Sequence, residues 1–285
     1  MGRNWAGRAA ESLFTVLFPS DCRICNTALT NISRLPVCEA CLDQILPLGG
    51  DVCSICGERV LSMYAATDGE FCCPLCRQTP PPFARAAAYG SYETGMRSLI
   101  HLLKFGGVRP AADVLGRMLA PAIAAVNPGA GQGMVPVIPV PLHKNKLRQR
   151  GFNQSELIAQ AALENLPVTR KLVLLNDVLV RRRETKSQIG LTDHQRRENL
   201  RGAFGVIQAD KIKGLEVLLV DDVYTTGTTA SECARVLRRA GATKVWVATV
   251  ARTLKTASQY VERKPPAGAV ETNAQGVSPA RAEAS

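Results

Sequence analysis

Hydrophobic residues beyond residue 89 follow two different periods. Some lie in short, almost uninterrupted runs, which are typical of strands buried on both faces of a sheet. These runs are Val135–Val140, Leu215–Val220 and Lys244–Val250. Others recur every three or four residues, as on one face of a helix. The predicted helices are Met96–Leu103, Val114–Leu119, Gln154–Leu166 and Thr228–Ala240. Because strands and helices alternate, we predict an α/β domain whose parallel sheet is covered on both faces.

Length and composition fit a protein of two parts without a membrane span. The chain has 285 residues, about twice the length of a common domain, and 46% of them are hydrophobic. No apolar run approaches the roughly 18 residues that cross a bilayer. Segment 1–19 predicts a short helix whose apolar core of six residues is too short for a secretory signal. We therefore expect a cytoplasmic, reducing environment.

Cysteine spacing is the strongest signal in the first quarter of the chain. Nine of the ten cysteines lie between residues 22 and 76, and eight of them form C-x-x-C pairs. Two such pairs can place four thiolates around one tetrahedral metal ion and leave no position for water. The spacing therefore predicts two structural Zn²⁺ ions. In sequence order the first set is Cys22, Cys25, Cys38 and Cys41, and the second is Cys53, Cys56, Cys73 and Cys76.

Two details of the zinc assignment stay open at this point. Cys72 could replace Cys73 as a ligand, and an interleaved pairing of the knuckles also satisfies the spacing. The proline-rich segment 79–83 cannot continue a helix or a central strand, so it marks a boundary. We predict a double zinc ribbon over 20–78, a linker over 79–83, the α/β domain over 84–255 and a disordered tail over 256–285.

Positive charge is concentrated in the middle of the chain. The formal net charge is +11, and residues 89–213 alone contain 19 basic and 9 acidic residues. Such a surplus indicates an anionic partner, either the phosphates of a small molecule or nucleic acid. A solubilising surface would have the same surplus, so charge alone does not decide between these uses.

The most informative stretch joins an apolar strand to a helix. Asp221 and Asp222 follow the strand, and a loop of hydroxyl residues and glycine precedes the helix. N–H groups at a helix N-terminus bind phosphate, and Gly227 lets the backbone approach it closely. The carboxylates can accept hydrogen bonds from a sugar diol and hold a hydrated Mg²⁺. The alternative is a capped helix beside two exposed acids. We predict a ribose 5-phosphate site whose phosphate contacts are Thr225, Thr226, Gly227, Thr228 and Thr229.

At this stretch the sequence resembles a known family. Val220–Thr229 looks like the phosphoribosyl-pyrophosphate motif of type I phosphoribosyltransferases. The motifs that precede it in order are the C-x-x-C pairs, Pro139–Pro141, Arg148–Gln154, Arg183–Gln188 and Arg197–Asn199. Together they resemble the ComF family of competence proteins, which includes GntX-like proteins, over residues 12–253. The resemblance implies a phosphoribosyltransferase-like fold behind a zinc ribbon, and a link to natural transformation or to DNA as a nutrient.

The resemblance also implies roles for two basic segments. The pyrophosphate loop of the related enzymes corresponds to a segment containing Arg148, Arg150, Gly151 and Asn153. Residues 181–188 correspond to a mobile loop that closes over the reacting centre. Its catalytic contacts would be Arg183, Lys186 and Gln188.

The charge pattern of the first basic segment permits other interpretations. Lys144, Lys146, Arg148 and Arg150 alternate strictly, so an extended segment would place all four cations on one side. Both basic segments could instead be solvated or could contact DNA phosphates.

These inferences predict a phosphoribosyltransferase, a glycosyltransferase of pentosyl groups. It would bind phosphoribosyl pyrophosphate with Mg²⁺ and would transfer or sense the phosphoribosyl group in DNA utilisation. The alternative is a non-catalytic factor that handles single-stranded DNA with proteins of the competence machinery and keeps a vestigial or sensory nucleotide site. The residues contain no code for the acceptor nucleophile.

Overall fold

A computed structural model describes residues 21–29, 33–60, 66–67, 70–128, 133–167, 171–185 and 192–254. The predicted helix 1–19 and the predicted tail 256–285 lie outside these residues. Lys186 and Gln188 of the predicted loop also lie outside them. The boundaries predicted for the cysteine-rich segment, the linker and the α/β domain remain predictions.

The described chain alternates strands and helices from residue 85 onward. The helices are α1 (Glu39–Asp43), α2 (Pro74–Gln78), α3 (Thr94–Lys104), α4 (Ala111–Val126), α5 (Lys144–Arg150), α6 (Gln154–Glu164), α7 (Asp193–Leu200) and α8 (Thr228–Arg239). The strands are β1 (Ala66–Thr67), β2 (Glu70–Phe71), β3 (Arg85–Ser91), β4 (Val135–Pro139), β5 (Leu172–Leu174), β6 (Leu179–Arg181), β7 (Phe204–Val206), β8 (Glu216–Tyr224) and β9 (Lys244–Arg252).

Five strands form the central sheet, in the order β3-β9-β8-β4-β5, and all neighbouring pairs are parallel. The prediction of a parallel sheet is thus confirmed. β8 lies at its centre, with Val220 opposite Pro139 on one side and Ala248 on the other. β4, β8 and β9 are almost entirely buried, because helices cover both faces of the sheet, and this accounts for their uninterrupted apolar runs.

Two groups of elements cover the sheet. α4 and α6 pack against each other and against the strands on one face, where Leu115, Leu119, Ile123 and Ile158 are fully buried. α8 covers the other face together with α7 and the antiparallel pair β6–β7. Cys233 of α8 is buried in this second core, as its isolated position in a helix predicts.

The cysteine-rich segment packs against both cores. Leu35, Val37 and Ile45 join the core that contains α4 and α6. The core that contains α8 includes Cys53, Cys56, Cys73 and Cys76. Backbone hydrogen bonds also tie the segment to the edge strand β3. The Ala86 N–H donates to the Ile55 carbonyl at 2.7 Å. The segment therefore shares its hydrophobic contacts with the sheet.

Two local expectations differ from the structure. β8 continues through Asp221 and Asp222 to Tyr224, so the acidic pair lies within the strand, near its end. Residues 144–150 form helix α5, so the extended arrangement that would place all four cations on one side does not occur. The His143 imidazole accepts the Asn145 N–H at the start of this helix, and Gly151 ends it with a left-handed φ of 78°.

Within the described chain, no helix combines the length and the apolar character that a bilayer crossing requires.

Candidate functional site

The candidate site lies at the carboxyl edge of the sheet, where β4 ends beside Val220 and β8 continues to Tyr224. Asp221 and Asp222 lie near the end of β8, and α5 and α6 follow the end of β4. Ligands of open parallel sheets bind outside the carboxyl ends of the strands, because loops from neighbouring strands converge there. The acidic pair is therefore placed where such a ligand would lie.

Asp221 is held by the first turn of α6. Its Oδ1 accepts a hydrogen bond from the Ser155 hydroxyl at 3.0 Å and from the Asp222 N–H at 2.9 Å. Burial raises the pKa of Asp221, and the charge of Asp222 raises it further, to about 7, against the lowering effect of Lys104. Asp221, near the carboxyl end of the central strand, is therefore a carboxyl group that gains a proton close to neutral pH.

Asp222 is only 4% exposed and forms an ion pair with Lys104, the last residue of α3. Burial alone would lower the pKa of Lys104, but the charges of Asp222 and Asp221 raise it above its ordinary value. The Lys104 ammonium therefore lies directly against the Asp222 carboxylate. A ligand that uses Asp222 has to displace it.

The raised pKa of Asp221 predicts a pH-dependent stability. Between about pH 4 and pH 7 the folded chain keeps a proton that the unfolded chain has lost, so its unfolding free energy falls as pH rises. The Asp221→Asn variant has no carboxyl group at this position, so its unfolding free energy does not fall with pH for this reason. We expect the variant to be more stable than wild type at pH 8, on the order of 2 kcal/mol, and the difference to shrink toward pH 5. Urea unfolding at several pH values measures it. An equal difference at pH 5 and pH 8 would contradict the raised pKa.

The predicted phosphate loop connects β8 to α8. Gly227 precedes the first residue of α8 with a left-handed φ of 75°, and a Cβ there would overlap the hydroxyl of Tyr224. Glycine is therefore required both by backbone conformation and by space. The Thr226 and Thr228 hydroxyls lie 2.8 Å apart, Thr225 is exposed and Thr229 is half-buried. The loop places hydroxyls around the N-terminus of a twelve-residue helix.

The four cations of segment 144–150 divide between two faces of α5. Residues four apart share a helix face, so Lys144 lies with Arg148, and Lys146 lies with Arg150. Arg148 donates to the Asn145 side chain at 2.8 Å. The alternation in the sequence therefore does not gather all four charges on one side.

On the face of α5 that contains Lys146 and Arg150, the charge of Asp222 reaches Arg150. Burial lowers the pKa of Lys146, and the charges of Arg181 and Arg150 lower it further. Burial also lowers the pKa of Arg150, and the charge of Asp222 opposes this. Arg181, Arg150 and Lys104 thus disfavour the charge of Lys146, and a bound anion would relieve this repulsion.

Gly151 and Asn153, which the sequence analysis also assigns to the pyrophosphate loop, fix the ends of helices. Gly151 ends α5, as described above. The Asn153 side-chain amide donates to the Val140 carbonyl at 3.1 Å, and its oxygen caps α6 by accepting the Ser155 N–H at 3.2 Å. Asn153 thereby joins the end of β4 to the helix that holds Asp221.

The described part of the predicted catalytic loop is tied to its surroundings. The Arg183 guanidinium donates to the carbonyls of Asn199 and Arg201, at 2.8 and 3.0 Å. The Arg181 side chain lies over the Phe204 ring, with 5.3 Å from the guanidinium carbon to the ring centroid. Because Lys186 and Gln188 lie outside the described residues, their predicted contacts stay predictions.

The eight C-x-x-C thiols form two clusters in the sequential grouping. Within each set, all sulfur atoms lie within 4.8 Å of one another. The Cys25 and Cys38 sulfurs are 3.7 Å apart, as are the Cys56 and Cys73 sulfurs. Four sulfurs about 2.3 Å from a tetrahedral zinc ion would lie about 3.8 Å apart, so both sets fit this ion. Cys72 belongs to neither cluster, and its Sγ contacts the Cys73 carbonyl at 3.8 Å.

Backbone N–H groups point at one sulfur of each cluster. Cys22 accepts from the Cys38 N–H at 3.4 Å, and Cys53 accepts from the Cys73 N–H at 3.3 Å. Burial acts to raise the pKa of Cys22, but the N–H donors of Cys25, Cys38 and Ile24 lower it to about 6. Such donors stabilise a thiolate, the form that binds metal.

Comparison with known proteins agrees with this arrangement. Residues 153–282 match a family model described as the phosphoribosyl transferase domain. The DNA utilization protein YhgH of Escherichia coli O157:H7 is 32% identical over 83% of this chain and 98% of its own length. Competence protein F of Haemophilus influenzae is 30% identical over 78% of this chain and 93% of its own. The chain belongs to the ComF family.

Other relatives are more distant. Competence protein ComFC of Bacillus subtilis is 26% identical over 72% of this chain and 79% of its own. A solved structure titled as the allosteric regulatory enzyme of purine biosynthesis covers 50% of this chain and 26% of its own. Its identity is 23% and its TM-score 0.30, too slight a likeness to build on.

This ComF-family chain also contains site residues that the sequence alone does not reveal. Lys104 has the helical spacing of its neighbours as its only signal, and its contact with Asp222 depends on how α3 packs. Ser155 reads as an ordinary first-turn residue of α6, yet its hydroxyl holds Asp221. Arg181 was assigned to the mobile loop, whereas it ends β6.

Proposed function

We propose that this protein binds phosphoribosyl pyrophosphate together with Mg²⁺ and transfers the phosphoribosyl group in DNA utilisation. One observation supports this most. An acidic pair, half-buried Asp221 and buried Asp222, lies near the end of the strand that leads into a threonine- and glycine-rich loop, and this loop opens α8. The loop suits a 5′-phosphate, and the carboxylates suit the hydroxyls of a ribose.

The residues fit a magnesium complex of this ligand. Asp222 Oδ2 receives no hydrogen bond of good geometry within the described chain, although the Lys104 ammonium lies beside it. Carboxylate oxygens are the ligands that Mg²⁺ prefers, and it usually binds through one or two of them together with substrate phosphates. When bound, Mg²⁺ would neutralise charge that develops on pyrophosphate. Asp221 and Asp222 would hold it and the ribose diol.

The cations around the acidic pair would hold the leaving group. In the proposed reaction the bond between C1 of the ribose and a pyrophosphate oxygen breaks, and a nitrogen nucleophile bonds to C1 and loses its proton. Lys104 would leave Asp222 as the diol arrives and would pair with pyrophosphate. From α5, Arg150 lies within reach of the charge of Asp222, and Lys146 lies within reach of the charge of Lys104. Fixed cations aimed at developing charge supply much of the rate enhancement in such reactions.

Calorimetric titration of the full chain tests the proposal. Phosphoribosyl pyrophosphate should bind in Mg²⁺ and bind much more weakly when the cation is removed with a chelator. Ribose 5-phosphate and Mg²⁺-pyrophosphate should each bind more weakly than the whole ligand, because each uses one half of the site. No binding of phosphoribosyl pyrophosphate in Mg²⁺ would contradict the proposed function.

We further propose that both cysteine clusters hold structural Zn²⁺ and that the protein works in the reducing cytoplasm, where thiolates persist. Freshly purified, reduced protein should contain about two Zn²⁺ per chain by atomic absorption. Cys38→Ser should lower this to about one and destabilise the cysteine-rich segment, because metal binding supplies folding free energy there. A wild-type content of one or none would contradict the sequential grouping.

An exposed aromatic residue favours single-stranded DNA as a second candidate ligand. Phe105, which follows α3, is 73% exposed, and the Arg150 guanidinium carbon lies 5.6 Å from its ring centroid. An exposed ring beside cations is how proteins stack bases while they neutralise the backbone. The proposed partners therefore include DNA and, through the names of the relatives, proteins of the competence machinery.

Salt dependence separates the two faces of α5 in DNA binding. Lys146→Ala with Arg150→Ala should flatten the slope of log affinity against log salt by about 0.7 for each lost phosphate contact. Lys144→Ala with Arg148→Ala is the matched control and should change the slope less. Phe105→Ala should weaken binding without changing the slope, because stacking releases no counterions. Equal slopes in all variants would place the DNA surface elsewhere.

A further inference from the structure

A buried ion pair joins the second cysteine cluster to the end of the central sheet. Arg252 is the last residue of β9, and Glu58 follows the knuckle that contains Cys53 and Cys56. Their side chains are 4% and 2% exposed, and Nη2 of the arginine lies 2.7 Å from Oε2 of the glutamate. The pair therefore lies inside the protein, where water does not weaken it.

The same guanidinium contacts one of the clustered cysteines directly. Arg252 donates through Nη1 to the Cys56 carbonyl, and its Nη2 lies 3.9 Å from the Cys56 sulfur. These two residues are 196 positions apart in the chain. The backbone of the second cysteine cluster therefore fixes the position of the arginine side chain.

The guanidinium of Arg252 lies over the ring of Tyr224, the last residue of β8. The guanidinium carbon is 4.4 Å from the ring centroid, and Phe83 packs edge-on against the same ring at 6.4 Å. The Tyr224 hydroxyl lies so close to Gly227 that a Cβ on the glycine would overlap it. Two residues, Arg252 and Tyr224, therefore connect Cys56 to the loop proposed to bind the 5′-phosphate.

The energetics of this pair favour a role in positioning. Burying two charges costs several kcal/mol each, and their attraction often offsets this only in part, so hydrophobic residues of similar size would stabilise the fold as well. The Nε atom of Arg252 also has no hydrogen-bond partner within the described chain. The planar guanidinium adds a fixed geometry. Its N–H groups donate hydrogen bonds in fixed directions within its plane, and its faces can stack on aromatic rings.

We propose that Arg252 is a positioning residue that couples metal binding at Cys53, Cys56, Cys73 and Cys76 to the shape of the phosphate loop. The inference rests on the proposed function, because it assigns the 5′-phosphate to that loop. Metal in the second cluster fixes Cys56, which fixes Arg252, Tyr224 and then Gly227. Loss of this metal selectively weakens 5′-phosphate binding. The first cluster packs into the other core, with Leu115 and Ile123, and has no part in this path.

The test uses the full zinc-loaded chain and two probes. Ribose 5-phosphate reports on the phosphate loop, and Mg²⁺-pyrophosphate reports on the cations around α5. The variant is Arg252→Met with Glu58→Gln, which leaves neither partner as an unpaired buried charge. It should bind ribose 5-phosphate about tenfold more weakly, bind pyrophosphate within about twofold of wild type and keep two Zn²⁺. Lys211→Gln with Asp177→Asn removes an exposed pair and is the control.

Two further variants keep the test decisive if the buried pair proves necessary for folding. Tyr224→Phe removes only the hydroxyl beside Gly227 and should weaken ribose 5-phosphate binding alone, by about threefold. Cys76→Ser and Cys25→Ser each remove a ligand from one cluster, and the first should weaken ribose 5-phosphate binding more than the second.

The outcomes distinguish this coupling from the proposed function. Wild type that binds both probes, beside Arg252 and Tyr224 variants that bind them equally well, overturns the coupling alone. An equal loss of both probes also overturns it, because the effect is then general. Wild type that binds neither ribose 5-phosphate nor phosphoribosyl pyrophosphate overturns the proposed function and this coupling with it.

Discussion

Replacing Asp221 and Asp222 together by asparagine should weaken binding of phosphoribosyl pyrophosphate in Mg²⁺ by about tenfold to a hundredfold for each carboxylate. The scale follows from the value of a charge-assisted hydrogen bond, about 1.5–3 kcal/mol. Asparagine keeps the size of the side chain and can still accept the Ser155 hydroxyl, so the strand end should keep its shape. Calorimetric titration of both proteins measures the change.

A control carboxylate separates this effect from a general loss of charge. Asp177 accepts a hydrogen bond from Lys211 at 2.7 Å on the surface, and Asp177→Asn should leave ligand binding unchanged. Zinc content should stay near two in every variant. If the doubly substituted protein binds as tightly as wild type, the carboxylates do not hold the ribose, and the capped-helix interpretation of this stretch is correct.

The parallel sheet could be predicted from sequence because strands buried on both faces appear as uninterrupted runs of apolar residues. β4, β8 and β9 have few polar positions, and their bounds differ from the predicted ones by a few residues at most. The largest difference is at the end of β8, where two acidic residues were taken to end the strand. Their charge is tolerated there because Lys104 and the α6 N-terminus surround them.

Helix α5 could not be predicted from the local hydrophobic pattern of the sequence. Its seven residues have no apolar stripe, and none of them is buried, so hydrophobic periodicity does not mark this helix. The signals that fix it lie at its ends, in the His143 cap and the left-handed Gly151. An extended segment would place all four cations on one side, whereas the helix places Lys146 with Arg150, the cation on which the charge of Asp222 acts.

The candidate site could be predicted only as far as it is local in sequence. The acidic pair and the threonine loop are contiguous, so one stretch reveals both. The contacts of Lys104 with Asp222 and of Arg252 with Glu58 join segments that are far apart in the chain. No spacing rule relates such residues, because their proximity depends on strand order and helix packing.

Gly227→Ala should weaken binding of phosphoribosyl pyrophosphate by about a hundredfold or more. Alanine is strained at the left-handed φ of 75°, and its Cβ would overlap the buried hydroxyl of Tyr224, so the loop has to move. A displacement of about 1 Å at a binding contact costs roughly this factor. Titration with the whole ligand and with ribose 5-phosphate should show the same loss, because both use the loop.

Gly214→Ala is the matched control for Gly227→Ala. Gly214 has a similar φ of 77°, but a Cβ there would meet nothing within 4 Å. It precedes β8, at the end of the strand opposite the site. Both variants should lose about 1–2 kcal/mol of stability from the left-handed conformation. The Gly227 variant alone should lose affinity, because the overlap with Tyr224 is what displaces the loop. Equal affinities in the two variants would show that the loop does not hold the 5′-phosphate.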